Sequence, residues 1–322
     1  MCHLRTVTDL DECRDVWRRA IPDEKFTDLW EVRECFQRRF QRPPFFVVAE
    51  GDEGIHGLLP LSWIEESGCY GYFPGETWEG KTWLEQNRIP LRGSGVLEAL
   101  LARCPAPYHL RYLLPFETAD AGEGVVDEVG YLFLPPQYDY DVEAYFRREF
   151  SHKGAKEVRR NIAAVESRGV TCRYDDLADF GHLVRLSIER FGKGSYFFDP
   201  RFREGFCDMM RLFHERGWLR MTTVLVEGEP AAVDMGCMYR GVYTLVAGGT
   251  HHEYKGVAKL INVHHMRRAC EERLQQVDFL CGDFLWKKLF HLTPRPLYLL
   301  SNAPVANGHG AAIGVGGAAN VQ

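Results

Sequence analysis

Apolar residues recur along this chain with two periods, and the switches between them mark its elements. Residues 219–227 (LRMTTVLVE) and 231–238 (AAVDMGCM) are β-rich runs separated by Gly228-Glu229-Pro230, which reads as a hairpin. Upstream, Phe180, Val184, Ile188 and Phe191 recur at helical spacing, and residues 201–215 form a second helix. The same order stands near the start. After the capping-type sequence Thr8-Asp9-Leu10-Asp11, the residues Leu10, Cys13, Val16, Trp17 and Ala20 line one side of a helix. A second helix over 27–40 stops before Pro43-Pro44, and strands 45–50 and 55–64 flank the turn Gly51-Asp52-Glu53-Gly54. Two helices and a hairpin with an acidic-glycine turn thus occur twice, FFVVAEGDEGIHGLLPL against TTVLVEGEPAAVDMGCM. This weak internal repeat points to tandem domains.

Between the repeats lie a short run at 70–74, a polar-aromatic segment at 75–87, a helix at 96–103 behind Arg92-Gly93-Ser94-Gly95, and a strand at 108–114. Residues 118–128 read as a loop, 131–136 as a strand, and 141–169 as a helix in two pieces around 151–154. After the second repeat come a strand at 242–247 closed by Gly248-Gly249, a polar loop at 250–258 and a helix at 259–275. A buried strand at 277–281 and the aromatic-basic segment 284–288 follow. The pattern predicts an α/β chain of two domains, each a mixed, largely antiparallel sheet flanked by helices. The expected division is 1–136, 137–302 and a Gly/Ala-rich tail at 303–322.

The chain's 322 residues suit two domains of about 150. A net charge of −6 disfavours wholesale nucleic-acid binding, so no DNA partner is expected. The ten cysteines are scattered without zinc-type spacing, which suggests reduced thiols and a cytoplasmic protein. No apolar run approaches the length of a transmembrane helix, and the first residues carry no leader-like apolar region. The oligomeric state is not legible.

Strand, glycine-bearing loop and helix make an anion site, because free N–H groups and the helix dipole point over the loop. Lys255, Gly256, Val257, Ala258 and Lys259 are its candidate residues. His251 and His252 in the loop are candidate bases. Asp234, inside an apolar strand, is either a base or half of a buried ion pair. His264 and His265 point about 100° apart on a helix, and no metal site is expected. The aromatic loops place Trp78 and Trp83 in the first domain, and Tyr196 and Phe197 in the second, as candidate linings of an acceptor cleft between domains. Arg147, Arg148, Lys153, Lys156, Arg159 and Arg160 form a basic face, either a solvated helix surface or an anion grip.

The segment DFLCGDFLWK, 278–287, resembles the Asp-Phe-Leu-x-Gly-Asp/Glu-x-x-Tyr-Lys signature of the double-domain branch of the GNAT acyltransferase superfamily. That branch includes CelD-like proteins and is related to the Fem-type aminoacyltransferases. Trp286 stands where Tyr is usual. EYKGVA, 253–258, resembles the family's pyrophosphate loop, Gln/Arg-x-x-Gly-x-Gly/Ala, with Glu253 in its first position. The resemblance implies tandem GNAT-like domains and an acetyl-CoA or acyl-CoA donor held over that loop. It also implies acyl transfer to an amine on a small molecule, peptide or glycan precursor. Trp286 and Lys287 would lie at the transfer site, with Lys287 acting on oxyanion or diphosphate charge; alternatively Lys288 faces the site and Lys287 is a surface lysine. No tyrosine between Tyr254 and Tyr298 is available as the acid that GNAT enzymes often use. Two alternatives stay open: an aminoacyl-tRNA-dependent ligase of Fem type, and a GNAT-fold binding protein without chemistry.

Overall fold

The computed structural model describes residues 3–115, 125–282 and 285–303. The chain divides into two units. Unit 1 is Met1–Glu128 with Glu204–Met209 and Pro296–Gly310; unit 2 is Val129–Arg203 with Met210–Arg295 and Ala311–Gln322. The expected tail beyond Ala303, most of the 118–128 loop, and Asp283 and Phe284 lie outside the described residues.

Unit 1 opens with β1 (His3–Val7), α1 (Leu10–Ala20), α2 (Trp30–Phe40), β2 (Pro44–Gly51), β3 (Gly54–Ile64) and β4 (Cys69–Tyr72). The strands form an antiparallel sheet in the order β1-β2-β3-β4. The small ribbon β5 (Thr77–Trp78) and β6 (Lys81–Thr82), then α3 (Val96–Leu101), β7 (His109–Leu113) and β8 (Val125–Phe133) follow. Asp9 caps α1 by accepting from the Glu12 N–H at 2.9 Å. Strands β2 and β3 are covered on both faces, which is why FFVVA and GLLPL read as continuous apolar runs rather than alternating ones. Trp17 of α1 packs on Phe46 at 6.3 Å on one face, while a Cβ at Gly57 would press on Val96 and Leu100 of α3 on the other.

Unit 2 repeats the plan. After α4 (Val142–Glu149) and α5 (His152–Glu166) come β9 (Val170–Tyr174), α6 (Asp179–Phe191), α7 (Pro200–Glu215), β10 (Leu219–Val226), β11 (Glu229–Tyr239) and β12 (Val242–Thr250). Then follow α8 (Val257–Glu271), β13 (Gln276–Asp278), the short α9 (Leu285–Leu289) and β14 (Thr293–Ser301), which passes into unit 1 at Pro296 and pairs there with β7. The order β9-β10-β11-β12 is antiparallel throughout, and β13 adds to β12 in parallel. A strand, two helices and three antiparallel strands thus occur in both units. The repeat read from sequence was two helices and a hairpin; the first and fourth strands complete it. β1 and β9 are five-residue edge strands with mixed polarity, so neither period marks them.

The α6 and α8 helices cover opposite faces of the unit 2 sheet. A Cβ at Gly249 would meet Leu183 and Leu186 of α6, whereas Asp234, facing the other way, bonds to His265 of α8. Among the described residues six thiols lie buried, and for four of them, Cys13, Cys35, Cys237 and Cys270, the pKa shift is large. Burial pushes them up, to about 12 for Cys13 and Cys35 and about 11 for Cys270.

Several boundaries differ from expectation. The helix expected over 27–40 begins at Trp30, because Thr27 and Asp28 form a buried turn in which the Asp28 carboxylate accepts the Lys25 N–H. The strand expected over 131–136 starts at Val125, inside the expected loop. The strand expected over 277–281 ends at Asp278, for reasons given below.

Gly236 of β11 lies under the buried Tyr243 ring, and a Cβ there would run into it. Gly236→Ala is expected to cost about 1–3 kcal/mol as an overpacked core site. Urea denaturation measures it; an unshifted midpoint would mean that the Tyr243 ring moves aside freely.

Candidate functional site

The site grows from a parting of two strands. β12 and β13 pair in parallel over Val242↔Gln276, Tyr243↔Val277 and Thr244↔Asp278, and then pairing stops. β12 runs on for six residues, held on its other side by β11. That pairing is interrupted by a bulge: Met235 faces Ala247 and Gly236 faces Leu245, which leaves Val246 as the extra residue. The His251 N–H bonds the Ala231 carbonyl on the β11 side at 2.8 Å. By the alternation of an antiparallel ladder, Gly248 and Thr250 turn their N–H and C=O groups to the opposite edge. Among the described residues no strand pairs with that edge beyond Thr244.

The chain leaves β12 at Asp278 because its polar groups are captured locally. The Asp278 carboxylate accepts the Leu280 N–H at 2.9 Å and both Arg295 terminal nitrogens, at 2.6 and 3.2 Å. Leu280 adopts φ 56° and Gly282 φ 105°. Lys287, 1% exposed, reaches back from α9 and donates to the carbonyls of Phe279, Leu280 and Cys281 at 2.8, 2.9 and 2.6 Å.

At the far end of β12, the loop 251–256 leads into α8. Gly256 caps the helix at φ 98°, and a Cβ there would stand 2.7 Å from the Asn161 carbonyl of α5, so only glycine fits. The N–H groups of the first α8 turn point out over the loop. Lys259 sits in that turn and is 8% exposed; burial pushes its ammonium down against the pull of Glu157, with Arg160 also lowering it. Lys255 is exposed, while Val257 and Ala258 are buried and hold the helix start against the core. His251 and His252 stack at 4.9 Å, and His251 Nδ1 accepts the Glu253 N–H at 3.4 Å.

A buried polar group lies beneath α8. Asp234 Oδ2 meets His265 Nε2 at 2.9 Å, both side chains nearly inaccessible. Thr222 of β10 faces Asp234 of β11, and its hydroxyl, the Tyr243 hydroxyl and the Asn262 side-chain oxygen are buried without a partner among the described residues. Next to this group His264 stacks on Tyr174 at 5.8 Å. Desolvation first, then His265, Arg268, Arg267 and Arg220, pushes His264 down to about 4.

Residues 152–288 match the family model described as Acetyltransferase (GNAT) domain. No curated protein matches the chain by sequence. Among solved structures, a conserved protein of unknown function from Bacteroides thetaiotaomicron VPI-5482 overlays with a TM-score of 0.58 at 12% identity, over 93% of this chain and 99% of that one. FemX overlays with a TM-score of 0.55 at 11% identity, over 91% and 95%. A tandem GNAT protein from the clavulanic acid biosynthesis pathway overlays with a TM-score of 0.51 at 12% identity, over 94% and 99%. The chain has the double-domain GNAT fold, and the stretch that matches the GNAT domain model lies mostly in unit 2.

The structure rearranges the residues singled out from sequence. Lys255 to Lys259, His251 and His252 come together at the end of β12. Asp234 is bound to His265, so of its two readings the paired one is realised. Trp83, expected as an acceptor contact, is 2% exposed and packs on Phe36 and Phe206 in the core of unit 1. Tyr196 and Phe197 are buried in a tight turn against Phe202 and Phe180. Trp286 is wedged between Phe279 and Phe290. These three are likewise packing residues. Trp78 alone of the set stays half-exposed, with the Lys81 ammonium 4.5 Å over its ring. Lys287 is not a surface lysine; its ammonium donates to three backbone carbonyls. Of the basic face, Arg147 and Arg159 pair with Asp141 and Glu143. Arg295 and His265 escaped sequence reading: Arg295 carries no local motif, and His265 was weighed only as half of a His-His pair.

His264 gives a pH test. Its folded-state affinity for a proton is depressed, so between pH 6.5 and about 4 the unfolded chain binds more protons and stability falls as pH falls. His264→Gln is expected to flatten that slope relative to the parent chain in denaturation series at pH 7, 6, 5 and 4.5. Parallel curves for the two proteins would count against the half-buried, neutral imidazole.

Proposed function

We propose that this protein is an N-acyltransferase that moves an acyl group from an acyl-CoA thioester, acetyl-CoA included, to an amine. The observation that carries the reading is the open edge of β12, in line with the glycine-capped start of α8. An extended arm bearing amides adds to an open strand edge through main-chain hydrogen bonds, and the pantetheine arm of CoA is such a chain. Gly248 and Thr250 offer it donors and acceptors. The diphosphate then falls over the first turn of α8, where the helix N–H groups, Lys255 and Lys259 supply positive charge.

In the reaction, the amine nitrogen attacks the thioester carbonyl carbon, a C–N bond forms, and the C–S bond breaks to release CoA thiolate. The nitrogen loses one proton to a base. His251, partly accessible at the end of β12, fills this role better than Asp234, which is committed to His265. Water returns a proton to the thiolate, since Trp286 and Lys287 are buried away from it. The acceptor is an amine-bearing small molecule, peptide or glycan precursor. Among the described residues no helix is long and apolar enough to cross a membrane.

The likeness to FemX, as good as that to the tandem GNAT protein, supports a second reading in which an aminoacyl-tRNA is the donor. The two readings share the fold and differ in what binds at α8.

Gly256→Val is not a clean test of the donor site, because its Cβ collides with Asn161 and its φ is left-handed. Lys259→Met keeps the buried stem and removes the charge. CoA or acetyl-CoA is expected to raise the melting temperature of the parent chain, and Lys259→Met to weaken CoA at least tenfold in calorimetry. Equal affinity in the folded variant would place the diphosphate elsewhere. A shift with aminoacyl-tRNA and none with CoA would select the second reading.

A further inference from the structure

Lys287 is the least expected side chain in unit 2. A buried ammonium is costly unless its donors are met, and here three consecutive carbonyls meet them. Consecutive carbonyls in a strand point alternately to opposite sides, so three of them can converge on one ammonium only if the chain turns. The turn is present, with Leu280 and Gly282 at positive φ. It begins at Asp278, where pairing with β12 ends. Asp278 holds the Leu280 N–H and Arg295, and the Lys287 ammonium lies 5.6 Å over the Tyr131 ring of β8. On the β8 side this segment is still paired: Phe279 donates to the Tyr131 carbonyl at 2.9 Å, and Tyr131 donates to the Leu280 carbonyl at 3.2 Å. The segment has therefore kept one neighbour and lost the other.

We propose that Lys287 is a positioning residue that holds the slot between β12 and β13 open. By collecting the carbonyls of residues 279–281, it withholds them from the β12 edge, whose free groups at Gly248 and Thr250 then stay available to a ligand. Without the ammonium the Leu280 carbonyl keeps the Tyr131 N–H, while the Phe279 and Cys281 carbonyls lose this donor. Among the described residues the unpaired strand edge next to this segment is that of β12, and closing onto it removes the slot. Lys287 thus controls donor binding without touching the donor. The functional part of this inference rests on the acyl-CoA reading above; the structural part does not.

The test combines hydrogen exchange with kinetics on the full chain. In the parent protein the Gly248 and Thr250 amides are expected to exchange readily and to gain protection when CoA is added. In Lys287→Met they are expected to gain protection of tenfold or more without ligand. The CoA Kd and donor KM should rise at least tenfold, with kcat falling far less than KM rises. Should the methionine variant not fold, Lys287→Gln, which keeps two donors and loses the charge, carries the same exchange measurement with a smaller gain expected. Parent-like exchange at Gly248 and Thr250 in the folded variant overturns the proposal. So does a fall in kcat at unchanged donor KM, which would mean that the ammonium acts on the reacting charge. If CoA neither binds nor protects the parent chain while the variant still gains protection, the donor reading fails and the positioning role stands.

Discussion

Every buried carbonyl needs a donor, and the second unit is arranged around the place where that rule is hardest to meet. A parallel strand leaving its neighbour in mid-sheet exposes acceptors on one side of the gap and donors on the other. Here one ammonium reaches all three acceptors at residues 279–281, with the Tyr131 N–H also on the middle one, and the carboxylate before them is met by an arginine and a backbone N–H. The packing follows from this. Trp286 must lie between Phe279 and Phe290 for Lys287 to reach inward, and Gly130 must lack a Cβ because one would press on the Arg295 guanidinium. The DFLCGDFLWK segment is therefore a fastening whose parts hold one another.

The two units share a plan and differ in what they make of it. Each has a helix entered from a left-handed glycine, Gly95 before α3 and Gly256 before α8. The first helix has six residues and the second fifteen. A helix of six residues aligns few peptide dipoles and leaves little ordered first turn to aim at an anion. Unit 1 has instead built a tightly packed aromatic core. Arg33 is buried there with its guanidinium bonded to the Thr27 and Phe73 carbonyls and lying over the rings of Trp17 and Tyr72. The long glycine-entered helix and the parted strands belong to unit 2.

Much of this was legible in the sequence, and the limits have physical causes. The hairpins, the α8 entry at Gly256 and the doubled helix-hairpin plan show in periodicity and glycine placement, because they are local. Asp234 was marked by cost alone, a carboxylate in an apolar strand, but the histidine that offsets the cost is 31 residues away. Trp83, Tyr196 and Phe197 looked like a cleft lining because they lie among polar residues in irregular segments. Composition does not say that such a segment folds inward. Lys287 was the hardest residue to read. Its burial follows from carbonyls that converge only once the turn after Asp278 exists, and nothing in the spacing of DFLCGDFLWK encodes that convergence.

The buried thiols bear on how the chemistry would be followed. Attack on a disulfide reagent requires a thiolate and access to it. Cys13, Cys35, Cys237 and Cys270 are denied both at neutral to mildly alkaline pH. In a colorimetric assay of released CoA these four cysteines therefore stay silent, and an increase in their signal would report unfolding of the unit that contains them. The same measurement can thus register product and, through the protein's own sulfur, loss of the native core.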